Sequence, residues 1–259
     1  MNMRRTLHVL YIGFILSRMH IAGYVASIVN SILWFTVMFV PTVIFSGYPL
    51  EALSVLLPGV YALTVASSAM WTSTEFLRWN VYQGLTDMYR ENGLTVFHYL
   101  LSNSVVDSVV LGTSSYLLSA YIMASYLGLG IDVALPKNYL YLFLAIALSI
   151  PTYLLVGSII GYLMASTSIS GSWVNIIQMI IALGTIVPPK TFPNAWILLA
   201  NPPTIVAEIL RIGYNSNTLP SNTLIIIGVA MIFAYTALSH FIAVLCDRRI
   251  AKYGLEYRF

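Results

Sequence analysis

Charge is the first thing this chain lacks. Asp, Glu, Lys and Arg make up 8% of its 259 residues, against roughly 25% in an ordinary soluble domain. A solvated globular surface is excluded. Cysteine is almost absent as well: Cys246 stands alone, which excludes an internal disulfide and any multi-cysteine metal site. The histidines His8, His20, His98 and His240 are scattered, with no pair at metal-ligand spacing. Lysine is scarce, and Lys137, Lys190 and Lys252 follow Pro136, Pro189 and Ala251. The Gly-Lys-Ser or Gly-Lys-Thr of a phosphate loop is therefore missing. No cofactor and no metal is expected on this chain, and no nucleic-acid partner. No His-Glu-x-x-His and no paired glutamates at a membrane face are present, so no catalytic residue is assigned.

What is there is apolar. Hydrophobic residues are 59% of the chain and mean hydropathy is +0.84. Several apolar runs reach about 20 residues, the length that crosses a bilayer as a helix. They do not alternate, as barrel strands would. The expected fold is all-α: a polytopic membrane protein with six transmembrane helices. Spans are expected at about 21–45, 52–74, 105–127, 139–164, 172–187 and 223–246. Arg4-Arg5 ahead of Leu7 to Leu16 has the look of an export signal, but no small-residue cleavage site follows promptly. That run is too short to span, and residues 1–20 are expected as a helix lying at the cytoplasmic interface.

Polar residues inside the spans fall on faces. Tyr61, Thr64, Ser68 and Thr72 recur at spacings of 3, 4 and 4, which puts them on one side of span two. Such a stripe suits either a buried helix contact or a wetted path. Asn175 and Gln178 lie three apart in span five, where amides need protein or water as partners. No Asp or Glu is expected mid-span, which counts against an ion-driven carrier. Between spans two and three, residues 75–104 form the one sizeable polar loop. Trp79, Tyr82, Leu85 and Tyr89 trace a first helical face there. Asn92-Gly93 breaks it, and a second helix, from about Leu94 to Ser102, presents Leu94, Phe97 and Leu101. Residues 188–220, rich in proline, are expected as short re-entrant or surface helices.

Lys and Arg set the orientation. One side carries Arg4, Arg5, Arg18, Arg78, Arg90, Arg248, Arg249, Lys252 and Arg258; the other carries Lys137, Lys190 and Arg211. Both termini are expected in the cytoplasm, in a multi-pass plasma-membrane protein.

Two stretches carry a family resemblance. Arg90-Glu91 through Phe97-His98-Tyr99-Leu100-Leu101-Ser102-Asn103-Ser104-Val105 resembles the cytoplasmic loop of ABC type-2 permeases, E-x-G-T-L-E-x-L-L-x-T-P-V. It departs where His98 replaces Glu, where Ser104 replaces Pro, and where Gly93 is displaced. The second stretch is Pro189-Lys190-Thr191-Phe192-Pro193, then Asn201-Pro202-Pro203-Thr204, Glu208 and Arg211. It resembles the family's P-x-x-x-L-P and N-P-x-T-x-x-x-[DE]-x-x-R before the last span, and is the more specific match. The resemblance implies the membrane subunit of an ABC exporter that works as a dimer with a second, identical or homologous permease subunit. Two separate ATPase subunits would hold the ATP and Mg. The loop would couple to them through Leu94, Phe97, His98, Tyr99 and Leu101. Spans two and five would line the path, with Tyr61, Thr64, Ser68, Thr72, Asn175 and Gln178 on it. Pro193, Asn201, Pro202, Glu208 and Arg211 would belong to the outer cap. The competing expectation is a stand-alone secondary carrier or an intramembrane enzyme. For the enzyme, Ser168-Ile169-Ser170-Gly171 faintly resembles the serine turn of rhomboid proteases, but the preceding glycine is missing.

Overall fold

The computed structural model describes residues 3–19, 21–45, 47, 49–77, 91–166, 171–187, 189, 200–217 and 219–253. Among these residues every regular element is helical. In order they are α1 (Met3–Met19), α2 (Ile21–Phe45), α3 (Pro49–Glu75), α4 (Val96–Val105), a π-helical segment (Val106–Gly112), α5 (Thr113–Tyr126), α6 (Ile131–Ala134), α7 (Tyr139–Ser166), α8 (Gly171–Ile186), α9 (Pro202–Ile212) and α10 (Ser221–Tyr253). Pro49 and Pro202 open their helices, where a missing N–H costs nothing. Pro41, Pro58 and Pro151 lie inside α2, α3 and α7, as membrane helices tolerate when neighbours satisfy the freed carbonyl.

Among the described residues, five helices are long and apolar enough to cross a bilayer: Ile21–Val43, Leu50–Glu75, Val96–Tyr126, Tyr139–Ser166 and Ser221–Lys252. This is the architecture of a helical membrane protein. Helix α8 has 16 residues and is about 24 Å long, short of the ~30 Å hydrocarbon core. The sixth expected span is therefore a shorter apolar helix.

Helix α7 forms the centre. It packs on α10, α3, α9 and α4, and buries Tyr153, Leu154, Leu155 and Val156 in succession. A helix buried on all sides must be apolar all round, and this one is. At the periphery, only 7% of the apolar window of α2 and 17% of that of α10 is buried within the chain. Leu33, Trp34 and Val37 of α2 and Ile226, Phe233 and Phe241 of α10 stand exposed. In water such surfaces would aggregate; hydrocarbon is their natural solvent.

Two boundaries differ from the sequence expectation. The helix expected from Leu94 starts at Val96, after Thr95 as N-cap, and does not end before span three. It runs on through the π segment and α5 to Tyr126 as one span of 31 residues. The polar Ser102-Asn103-Ser104 does not break it, because these side chains bond back to carbonyls of their own helix. In the 188–220 region, α9 is not a surface helix: every residue from Pro203 to Ile212 is buried.

Candidate functional site

The longer rod carries a carboxylate into the bundle. Asp107 is the second residue of the π segment and lies about 16 Å along the helix from Val96. π turns are rare and concentrate at functional sites. The side chain is 3% exposed and accepts four hydrogen bonds. Tyr24 Oη donates to Oδ1 at 3.0 Å. Ser68 Oγ, Thr72 Oγ1 and Tyr153 Oη donate to Oδ2 at 2.8, 3.3 and 2.7 Å. Ser68 and Thr72 are one turn apart on α3, so they reach the same acceptor. Tyr24 comes from α2 and Tyr153 from α7. Four helical elements thus meet on one carboxylate. An ionised carboxylate only accepts, with about two lone-pair positions on each oxygen; three hydroxyls crowd Oδ2 and one meets Oδ1. Among the described residues no Lys or Arg pairs with it.

This geometry corrects two expectations. An acidic residue does lie within a span; it was missed because span three was started at 105, which put Asp107 at the membrane edge. The stripe Tyr61, Thr64, Ser68 and Thr72 turns into the chain's own interior. Tyr61 Oη donates to Ser149 Oγ at 2.9 Å, Thr64 Oγ1 donates to Val60 O at 2.9 Å, and Ser68 and Thr72 serve Asp107. The hydroxyls of Tyr61, Ser68 and Thr72 join α3 to the Asp107 rod and α7, while that of Thr64 bonds back to its own helix. Of the two amides in α8, Gln178 Nε2 donates to Ser67 Oγ of α3 at 2.8 Å, while Asn175 is exposed. Ser67, Gln178 and Asn175 mark a polar edge along α3 and α8.

A second polar centre fixes α9. Arg211 and Glu208, both fully buried, pair at 2.8 Å. The guanidinium also donates to Val55 O on α3 at 3.1 Å and to Thr185 O and Ile186 O at the end of α8. The last carbonyls of a helix have no intrahelical partner and carry its negative dipole end, so a cation belongs there. Burial lowers the pKa of the guanidinium and Glu208 opposes that shift. Asn201 Nδ2 donates to Ile181 O at 3.1 Å. Asn201, Glu208 and Arg211 therefore act together as a clamp joining α9, α8 and α3; Pro202 opens α9, and Pro193 lies outside the described residues. Beside the clamp, Tyr116 and Tyr214 share a hydroxyl contact, and Tyr214 Oη donates to Ala134 O at 2.8 Å. Burial holds the Tyr214 phenol far above its ordinary pKa.

The loop residues form a third group. Thr95 Oγ1 accepts from His98 N at 3.4 Å, and Val96 N donates to Asp247 Oδ1 of α10 at 3.2 Å. Phe97 is buried, edge-on to His240 of α10 at 5.1 Å between ring centroids. Tyr99, half-buried, packs on Phe76 at 4.3 Å. Leu94, His98 and Leu101 are half-buried. Trp79, Tyr82, Leu85 and Tyr89 fall outside the described residues. So Phe97 is committed to its own subunit, and the exposed stretch beside it is Glu91-Asn92-Gly93, where Gly93 takes φ +63°.

No family model, curated protein or solved structure matches this chain.

Among the described residues, no three His, Cys, Asp or Glu side chains gather as a metal site. Sequence reasoning named Ser68 and Thr72 but not the group they serve. The available signal was an aspartate with no basic residue within a turn, next to the small-residue face Ser108, Gly112, Ser115 and Ser119.

Proposed function

We propose that this chain is a membrane-spanning permease subunit of an ATP-binding cassette exporter of type 2. In this reading it has six spans with both termini in the cytoplasm, and forms the path with a second permease subunit. Separate ATPase subunits supply the energy. The observation that carries the reading is the clamp. The residues of the Asn-Pro-x-Thr…Glu-x-x-Arg pattern are spread over 11 positions, yet Asn201 bonds α8 and Arg211, paired with Glu208, bonds both α3 and α8. Those are the spans to which the resemblance gives the path. A pattern that served only local helix capping would have no reason to bond carbonyls of two other elements. Ser67, Gln178 and Asn175 then line the polar edge facing the second subunit. Helix α4, with Glu91-Asn92-Gly93 before it, forms the coupling element.

The test is reconstitution. The chain alone is expected to hydrolyse no ATP, since it has no phosphate loop. Together with an ABC ATPase subunit, it should form a complex in which ATP hydrolysis drives substrate from the ATPase side of the bilayer to the other. Transport that proceeds on an ion gradient with no ATPase present would sink the proposal.

Asp107 favours one second reading, a secondary carrier. Carriers driven by protons or sodium keep ionisable groups within their spans, and this bundle has one. The same reconstitution decides between them: a carrier transports without ATP.

A further inference from the structure

We propose that Asp107 is a proton-binding site, in which a single carboxyl held by Tyr24, Ser68, Thr72 and Tyr153 exchanges a proton and thereby re-sorts the contacts of α2, α3 and α7. The inference stands on the shell itself and not on how transport is energised. A carboxylate withdrawn from water is costly unless it is paired or fully hydrogen-bonded. Among the described residues hydroxyls alone meet that need, at 2.7–3.3 Å. A divalent metal ion fits poorly. It would require several oxygens within about 2.0–2.6 Å of itself, in place of hydrogen bonds that already join those oxygens. A proton needs no added room.

Among the described residues, other titratable groups around it are few. Glu75 on α3 adds like charge, Tyr24 and Tyr153 donate, and Tyr99 of α4 lies beyond Tyr153. His8 and Arg18 of α1 are exposed. The event is simple in atoms. A proton adds to one carboxylate oxygen and no bond between heavy atoms changes. That oxygen becomes a donor, so the hydroxyl facing it must turn and accept. Oδ2 holds three donors and Oδ1 holds Tyr24. Protonation at Oδ1 therefore reverses the bond to α2, the span that buries least of itself within the chain. Hydroxyls suit this, because they can donate or accept by rotating; lysine or arginine in their place could not.

The experiment is infrared difference spectroscopy on the full chain in lipid membranes, stepping from about pH 9 to about pH 4. Acidification should bring up the carbonyl stretch of a protonated carboxylic acid. That band should vanish in Asp107→Asn. Tyr24→Phe keeps the carboxyl but deletes the donor on Oδ1. Losing a bond to the ionised form, it should show the band at a pH on the order of one unit higher. This second variant keeps the test valid if Asp107→Asn does not fold. A wild-type spectrum whose carboxylic-acid bands are all retained, at equal intensity, in Asp107→Asn overturns the proposal. So does a Tyr24→Phe protein whose band neither moves in frequency nor appears at a different pH. A wild-type carboxyl that stays in one state across the range overturns it as well.

Discussion

Arg211 shows how much one side chain can hold. Its guanidinium binds a glutamate on its own helix and carbonyls on two others. Removing one partner of a buried pair leaves the other charge uncompensated, at a cost of about 3–5 kcal/mol. Arg211→Ala should therefore lower the melting temperature of the detergent-solubilised chain sharply. Arg211→Lys should fall between, since a point charge cannot reproduce the fork. A melting curve unchanged by Arg211→Ala would mean that the clamp contributes nothing. Gly184 tells the same story from the other side. A Cβ there would overlap Asn201 Nδ2, so the clamp requires glycine in α8. The Glu208 and Arg211 pattern was visible in the sequence, because four-letter spacing survives without coordinates. Asp107 was not. Its meaning comes from hydroxyls 35 to 83 residues away in sequence, and periodicity reports which face a residue occupies, never what that face meets.

Helix α4 was placed within two residues of its true start by the turn at Asn92-Gly93; Thr95 as its N-cap is a finding of the structure. Its length was misjudged, because a Ser-Asn-Ser run reads as an end when its back-bonding to carbonyls is unseen. One of its expected contact residues, Phe97, faces its own chain. An apolar face at spacing 3 and 4 must be buried somewhere, and Phe97 buries against His240 of the same chain. Phe97→Ala should cost about 3–5 kcal/mol of stability, measurable in the lone chain with no partner present. If the ring were a partner anchor instead, the lone chain would melt as before and only complex formation would suffer. Thr95→Ala should cost about 1 kcal/mol, the usual value of a lost N-cap. Cysteine crosslinking to an ATPase subunit should then succeed at positions 91–93 and fail at 97.

The bundle as a unit was readable in class but not in depth. Low charge and long apolar runs announced helices in a membrane; nothing in them revealed that α3 and α7 would be buried while α2 and α10 stay peripheral. Nor did they show that α8 would be too short to cross without tilt or thinning of the bilayer. The exposed polar edge gives a further test. Asn175→Leu should leave stability within about 0.5 kcal/mol, as surface changes do, yet alter transport. Gln178→Leu should cost about 0.5–1.5 kcal/mol for the lost bond to Ser67 and alter transport too. Normal transport in both variants would remove this edge from the path.

The rod from Val96 to Tyr126 is 31 residues long, about 46 Å, and Asp107 pins it roughly a third of the way along. Mechanically that makes a lever with unequal arms, about 16 Å and about 28 Å. The backbone of Ser102 lies so close to Gly13 that a Cβ could not fit between them, so α1 rides on the short arm. A push of about 1 Å at Val96, with the pivot fixed, swings Tyr126 by nearly 2 Å the opposite way. Tyr116 sits on that long arm with its hydroxyl against Tyr214, just past the clamp. Under the proposed coupling, a small stroke at the loop would reach the far end of the bundle enlarged by the ratio of these arms.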